Sequence, residues 1–266
     1  MVKEVWRESV KNVHPFQKGD TNQGTKHCMT IVKYLNRLEN RINVELSDAV
    51  ILLISAAVHD IGKSIVVHDI VKYAKFLGTG TRIPHEPHEK VGSTFIQSNY
   101  SDLKIQGEWQ PPVSSIVEYH AGNVSLNSVT NSSSLNVPDG SGATTNLNIN
   151  IQKLAAIFRL CDVADMTHTR ISDTVFSLNE KKKNALDAID QSFYQKLFSH
   201  KNIDKLLLKK DHFDVIVSSA ITDPSELNMI KDSIKYDNDD LQNSATSKIL
   251  ATNNIPSEFW INGKRH

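Results

Sequence analysis

The feature that most constrains this chain is the run from Asp48 to His59, DAVILLISAAVH, which ends in the dipeptide His59-Asp60. The run is long enough for a helix and apolar on nearly every position, so it predicts a helix buried on most sides. Ser47 is its expected N-cap and Gly62 suits the turn that ends it. A carboxylate at the edge of a core is costly unless it is partnered, and a metal ion would remove that cost.

Other helices follow from spacing. Met29, Ile31, Val32, Tyr34, Leu35 and Leu38 recur at helical intervals over 26–37. Helices are expected from His88 to about Ser98, from Pro112 to Tyr119, and from Ile151 into Asp162, with Leu154, Ile157, Phe158 and Cys161 on one face. Residues 123–150 are dominated by Asn, Ser, Thr and Gly and read as a long, mobile insertion with little to build a core. A charged helix is expected over 179–197, then a strand in FDVIVSSAI and helices over 224–236 and 239–251. The fold class expected is mainly α: a helical bundle over 1–178 that carries the insertion, and a small α+β extension over 179–266.

The 266 residues hold 39% hydrophobic and 23% charged residues, ordinary for a globular chain with a core. Lys plus Arg and Asp plus Glu both number 30, so no overall field draws in nucleic acid or an anionic membrane. Cys28 and Cys161 are too few for a disulfide framework, and MVKEVWRESV has no apolar signal region. The expectation is a cytoplasmic protein with no membrane partner.

The eleven histidines matter by their placement. His27, His59-Asp60, His88, His120 and Asp162 put metal-ligand residue types at the ends of successive helices. Imidazole and carboxylate suit borderline divalent metals such as Fe, Mn, Zn or Ni better than Ca or Mg alone. Any single histidine is more often a surface or core residue. A second His-Asp pair, His68-Asp69, lacks a preceding apolar helix and reads as a coincidence. Adjacent ligands on a helix point apart, so His59 and Asp60 need a relaxed helix end to face one cavity.

Taken in order, these residues resemble the HD phosphohydrolase superfamily. AAVHDIGK is similar to its central motif, and His27, His59 with Asp60, and Asp162 match its pattern of His, His-Asp and a distant Asp. His88-Glu-Lys-Val-Gly92 and Glu118-Tyr119-His120-Ala-Gly122 resemble the branch that binds two metals, as in bacterial diadenosine tetraphosphate hydrolases. RLCDVADMTHTR resembles the closing segment, which implies Asp162 as ligand and leaves Asp165 and Arg170 to supporting duty. The resemblance covers about residues 20–172. The chain lacks the Gly-Tyr-Pro signature and paired histidines of the cyclic-di-GMP phosphodiesterase branch, and Gln23 stands where that branch has a Glu, which disfavours that substrate.

The resemblance implies a metal-dependent phosphohydrolase that cleaves a phosphoester or phosphoanhydride bond of a nucleotide-type substrate through a metal-activated hydroxide. Its cofactor would be two divalent transition-metal ions, Fe or Mn first, with Zn, Ni or Mg as alternatives. One ion would lie on His27, His59 and Asp162, the other on His88 and His120, with Asp60 bridging them. The alternative for His88 and His120 is direct contact with substrate phosphate beside a single ion. Lys63 is the first candidate for a phosphate contact or a catalytic charge, against a solvated helix-end lysine. Arg159 and Arg170 are further substrate-binding candidates, with Arg82 and Lys90 behind them. His85 is a candidate proton donor, or a ligand in place of His88. The partner expected is a nucleotide or another phosphate-bearing small molecule. A nucleotide-sensing regulatory module and a single-strand nuclease are the other readings, and zero net charge counts against nucleic acid.

Overall fold

The periodicities of the sequence become helices in the computed structural model, which describes residues 25–38, 41–42, 44–62, 88–122, 124–129, 133–138, 144–171, 173–182 and 188–265. Lys63, His85, His68-Asp69, Arg82 and Gln23 lie outside these residues. The described residues form two compact units, one within Asn43–Arg159 and the other drawn from Phe16–Ile42 and Leu160–His266. Among them no helix is long and apolar enough to cross a membrane.

In chain order the elements are α1 (Thr25–Leu38), α2 (Leu46–Val58), α3 (His88–Asn99), α4 (Gln110–Glu118), the strands β1 (Ser133–Pro138) and β2 (Thr144–Ile149), and α5 (Ile151–Val163). Then come α6 (Asp173–Lys182), α7 (Ala188–Lys201), β3 (Ile203–Leu208), β4 (Phe213–Val217), α8 (Pro224–Asn243), α9 (Thr246–Thr252) and β5 (Phe259–Ile261). The class is mainly α with a small α+β C-terminal part, as expected.

The first unit is built on α2. Ile51, Leu52, Ile54, Ala56, Ala57 and Val58 are all buried, and they sit in a core with Val91 and Ile96 of α3, Val113, Ile116 and Val117 of α4, and Leu154, Ile157 and Phe158 of α5. Helix α2 starts one residue before the expected N-cap. Glu45, not Ser47, caps it, and the Asp48 carboxylate accepts from the Glu45 backbone N–H at 3.2 Å. Pro111 and Pro112 stand in the first turn of α4, where their missing N–H groups cost nothing.

The insertion departs from its expected character. Strands β1 and β2 pair as an antiparallel hairpin with Leu135 opposite Leu147 and Asn136 opposite Asn146, and the Asn146 amide donates to Asn136 Oδ1 at 3.1 Å. Leu126, Val129, Leu135 and Ile149 are buried, and the Gln152 side chain holds the Leu126 carbonyl at 2.9 Å. The apolar residues of SLNVP and TNLNI recur every second position, a strand period that the Asn and Thr on the outer face conceal. Strand β2 packs on α2.

In the second unit, α1 buries Cys28, Ile31, Tyr34, Leu35 and Leu38, while Met29 faces out. The Arg41 guanidinium donates to the carbonyls of Lys209 and Lys210 at 2.5 and 2.9 Å, which ties the end of α1 to β3. Two helices, α6 and α7, occupy the region expected to hold one charged helix. The sheet order is β3-β4-β5, antiparallel then parallel. β4 is its central strand, and Phe213, Asp214, Val215 and Val217 are all buried. Helix α8 runs beyond the expected Tyr236, and Ala245 in a left-handed conformation (φ 63°) breaks it from α9. Gln195 and Ser199 of α7 both donate to the Met229 carbonyl of α8 at 3.3 Å.

Candidate metal centre

The site in the first unit grows from the end of α2. His59 keeps helical backbone angles (φ −57°, ψ −38°) and its N–H still bonds to the Ser55 carbonyl at 2.8 Å. The relaxation expected at His59 is therefore absent, and convergence with Asp60 comes from side-chain reach. His59 Nε2 lies 3.5 Å from Asp60 Oδ2. Both residues are 1% exposed or less.

His88 arrives at the same carboxylate from the first turn of α3, and His120 from just past the end of α4. His88 Nε2 is 3.4 Å from Asp60 Oδ1 and His120 Nε2 is 3.9 Å from it. The two Nε2 atoms are 3.2 Å apart. Asp60, His88 and His120 thus offer three ligand atoms within 4.8 Å of one another.

The ring orientations are set by what holds the opposite nitrogen. His120 Nδ1 bonds to the Val117 carbonyl at 2.6 Å, and His59 Nδ1 to the Ala56 carbonyl at 3.2 Å. A carbonyl only accepts, so each Nδ1 carries the proton and each Nε2 offers a lone pair. Phe158 of α5 closes the apolar side, its ring centroid 5.3 Å from that of His59 and 6.3 Å from that of His120, both edge-on. Lone pairs of neighbouring imidazoles aimed at one carboxylate repel one another unless a cation lies among them. The donor set is that of a borderline divalent metal.

Glycine makes this convergence possible. A Cβ built on Gly62 would sit 1.8 Å from the His88 carbonyl oxygen and 2.8 Å from the Gly92 amide nitrogen. One built on Gly92 would meet the Gly62 nitrogen and Val117 Cγ1, each at 3.3 Å. The turn reading of Gly62 is corrected. The chain is again helical at 61–62, Gly62 has no positive φ, and the residue is needed as a spacer against the start of α3.

Arg159, expected to contact substrate, is 1% exposed. Its Nε donates to the Tyr119 carbonyl at 2.6 Å and its Nη2 to the Val124 carbonyl, so the guanidinium clamps the chain on both sides of His120. Sequence reasoning missed this role. The only sequence signal was an arginine inside the apolar stretch LAAIFRLC.

The second unit holds its own cluster. His27 is 1% exposed, its Nδ1 2.6 Å from Asp165 Oδ2 and its Nε2 3.0 Å from Asp162 Oδ1. Burial and the Arg170 charge work against protonation, but bonding to Asp162 and Asp165 outweighs them and raises the His27 pKa. The pair of carboxylates prepares this ring for positive charge on Nε2, with Asp165 as the orienting partner. Arg170 Nη1 donates to the Asp165 carbonyl at 2.9 Å and braces that residue. Lys63 and His85 fall outside the described residues, as noted above.

A family model described as HD domain matches residues 24–167. Neither the curated proteins nor the solved structures compared with the chain gave a match. The matched span holds His27, His59, Asp60, His88, His120 and Asp162, and it covers more than half of the 266 residues. By that match, and in keeping with the His and Asp cluster built around Asp60, the chain belongs to the HD domain family, a superfamily of metal-dependent phosphohydrolases.

Proposed function

We propose that the chain hydrolyses a phosphoester or phosphoanhydride bond of a nucleotide-type substrate, using two divalent ions, Fe or Mn. The observation that carries this reading is the convergence of the His88 and His120 Nε2 atoms, 3.2 Å apart, on one oxygen of Asp60. A minimal site needs only His27, His59, Asp60 and Asp162, and His88 and His120 are then the ligands of a further ion.

In this reading Asp60 would hold both ions, with His88 and His120 assigned to one and His59 to the other, and the motif order of the family assigns His27 and Asp162 with His59. Ions so held would lower the pKa of water toward neutrality and offset charge on the phosphate oxygens. His59, His88 and His120 act as neutral Nε2 donors, each with its other nitrogen facing a carbonyl or a carboxylate. Phe158 keeps the inner wall apolar and excludes water from behind the ligands. Lys63 takes a phosphate oxygen as a point charge. His85 delivers a proton to the leaving group. Arg170, beside the His27 pair, is the second phosphate candidate.

The test is a panel of nucleotide mono-, di- and triphosphates and dinucleoside polyphosphates, assayed for released phosphate or nucleotide with Mn or Fe added. Hydrolysis that requires metal and is lost in Asp60→Ala is expected. Full turnover in excess chelator would overturn the reading.

A further inference from the structure

His88 differs from His59 and His120 in what stands at its Nδ1. Among the described residues no backbone carbonyl holds it. What stands there is the carboxylate of its neighbour Glu89, whose Oε2 lies 3.2 Å away as an ion-pair contact. Glu89 is 3% exposed, and its Oε1 is buried with no hydrogen-bond partner among the described residues. A carboxylate placed like this is costly. The residue sits on the first turn of α3, whose backbone lies close against Gly62.

We propose that Glu89 is the positioning residue of the ion held by Asp60, His88 and His120. This deepens the reading of the metal centre and rests on it. A carboxylate accepts and cannot donate, so Glu89 fixes the proton of His88 on Nδ1 and leaves the Nε2 lone pair facing Asp60 and His120. Negative charge behind the ring raises the donor strength of Nε2. Positive charge in front of the ring in turn offsets the charge of the buried carboxylate. Asp165 takes the same place at Nδ1 of His27, there as a hydrogen-bond acceptor 2.6 Å away. By this comparison each proposed ion has one histidine backed by a carboxylate and one or more backed only by a carbonyl.

Two readouts test the assignment on the full chain. The first is nitrogen NMR of metal-free protein labelled at histidine, with the His88 signals identified by their loss in His88→Ala. The proton is expected on Nδ1 in the parent and shared between the nitrogens in Glu89→Ala. The second is Mn titration followed by the EPR signal of free ion. Glu89→Ala should weaken one class of site by roughly 10–100-fold and leave the other at parental affinity. Glu89→Gln keeps an acceptor oxygen and the side-chain volume, so it should keep the tautomer and bind the weaker ion at an intermediate affinity. It also serves if the alanine variant fails to fold. A parent with the proton on Nε2, or parental tautomer and Mn affinity in the variants that fold, would overturn the proposal. A parent that binds no Mn would sink the metal reading itself, and the tautomer would still decide whether Glu89 orients His88.

Discussion

Replacing Gly62 with alanine puts the close approach of α2 and α3 to the test with one methyl group. The new Cβ would lie 1.8 Å from the His88 carbonyl oxygen, where ordinary contact begins near 3.4 Å. The two backbones must therefore separate by about 1.6 Å, because the obstacle is main chain and no side-chain rotation relieves it. Overpacking of this kind costs about 1–3 kcal/mol, which lowers Tm by roughly 2–12 °C in a chain of this size. His88 moves with its carbonyl, and a misplacement near 1 Å costs about 100-fold in rate. Gly107→Ala is the control, since its Cβ would only touch the Tyr100 ring at 3.6 Å. Thermal melts, Mn affinity and kcat are measured on all three proteins. The Gly62 variant should lose stability, one class of ion and most turnover, and the Gly107 variant should stay near the parent. Parental Tm and metal binding in Gly62→Ala would refute the argument that a bare backbone here is what lets His88 reach Asp60.

Other outcomes follow from the same geometry. Arg159→Met strips the Tyr119 and Val124 carbonyls of their charged donor and should cost roughly 2–5 kcal/mol, seen as a lower urea midpoint. A parental midpoint would mean that the clamp is not structural. Shortening residues 139–143, which link β1 to β2, should change KM or substrate choice and leave Tm intact, because the buried Leu126, Leu135 and Ile149 lie outside that link. Identical kinetics over the substrate panel would make the link a spacer. Lys63→Ala should lower turnover at unchanged metal content, and a loss of metal would assign Lys63 to the structure of the site. His200 is buried, and desolvation, with the charges of Arg170, Lys196 and His27, lowers its pKa well below 6.5. It stays neutral in the fold and protonates on unfolding, so stability falls as pH drops below about 6.5. His200→Gln should flatten that part of the stability curve, and an unchanged slope would remove His200 as its source.

The legible parts of this chain were those written in helical periodicity. The apolar run that ends at His59-Asp60 sets α2, its burial and the end at which the ligands gather. The histidines fell on helix ends because that is where a side chain can leave the core and still be fixed by it. The hairpin was not legible, since its leucines and isoleucine alternate with Asn and Thr, and composition outweighed spacing in the reading. Nothing in HEKVG singles out Glu89, and only the structure shows it buried beside His88. Arg159 was read by its charge as a phosphate contact. What decides its role is the pair of carbonyls around His120, and these come from a distant part of the chain. Gly62 was assigned to a turn because glycine after a helix usually is. A close approach between two helices leaves no mark in a single sequence beyond the glycine itself.

The most direct test of the account is the metal content of the chain purified without oxygen or chelator and resupplied with Mn. The account predicts about two ions per chain in the parent, falling toward one in His88→Ala and in His120→Ala while both variants remain folded. A parent that never exceeds one ion, or variants that keep the parental content, would contradict it.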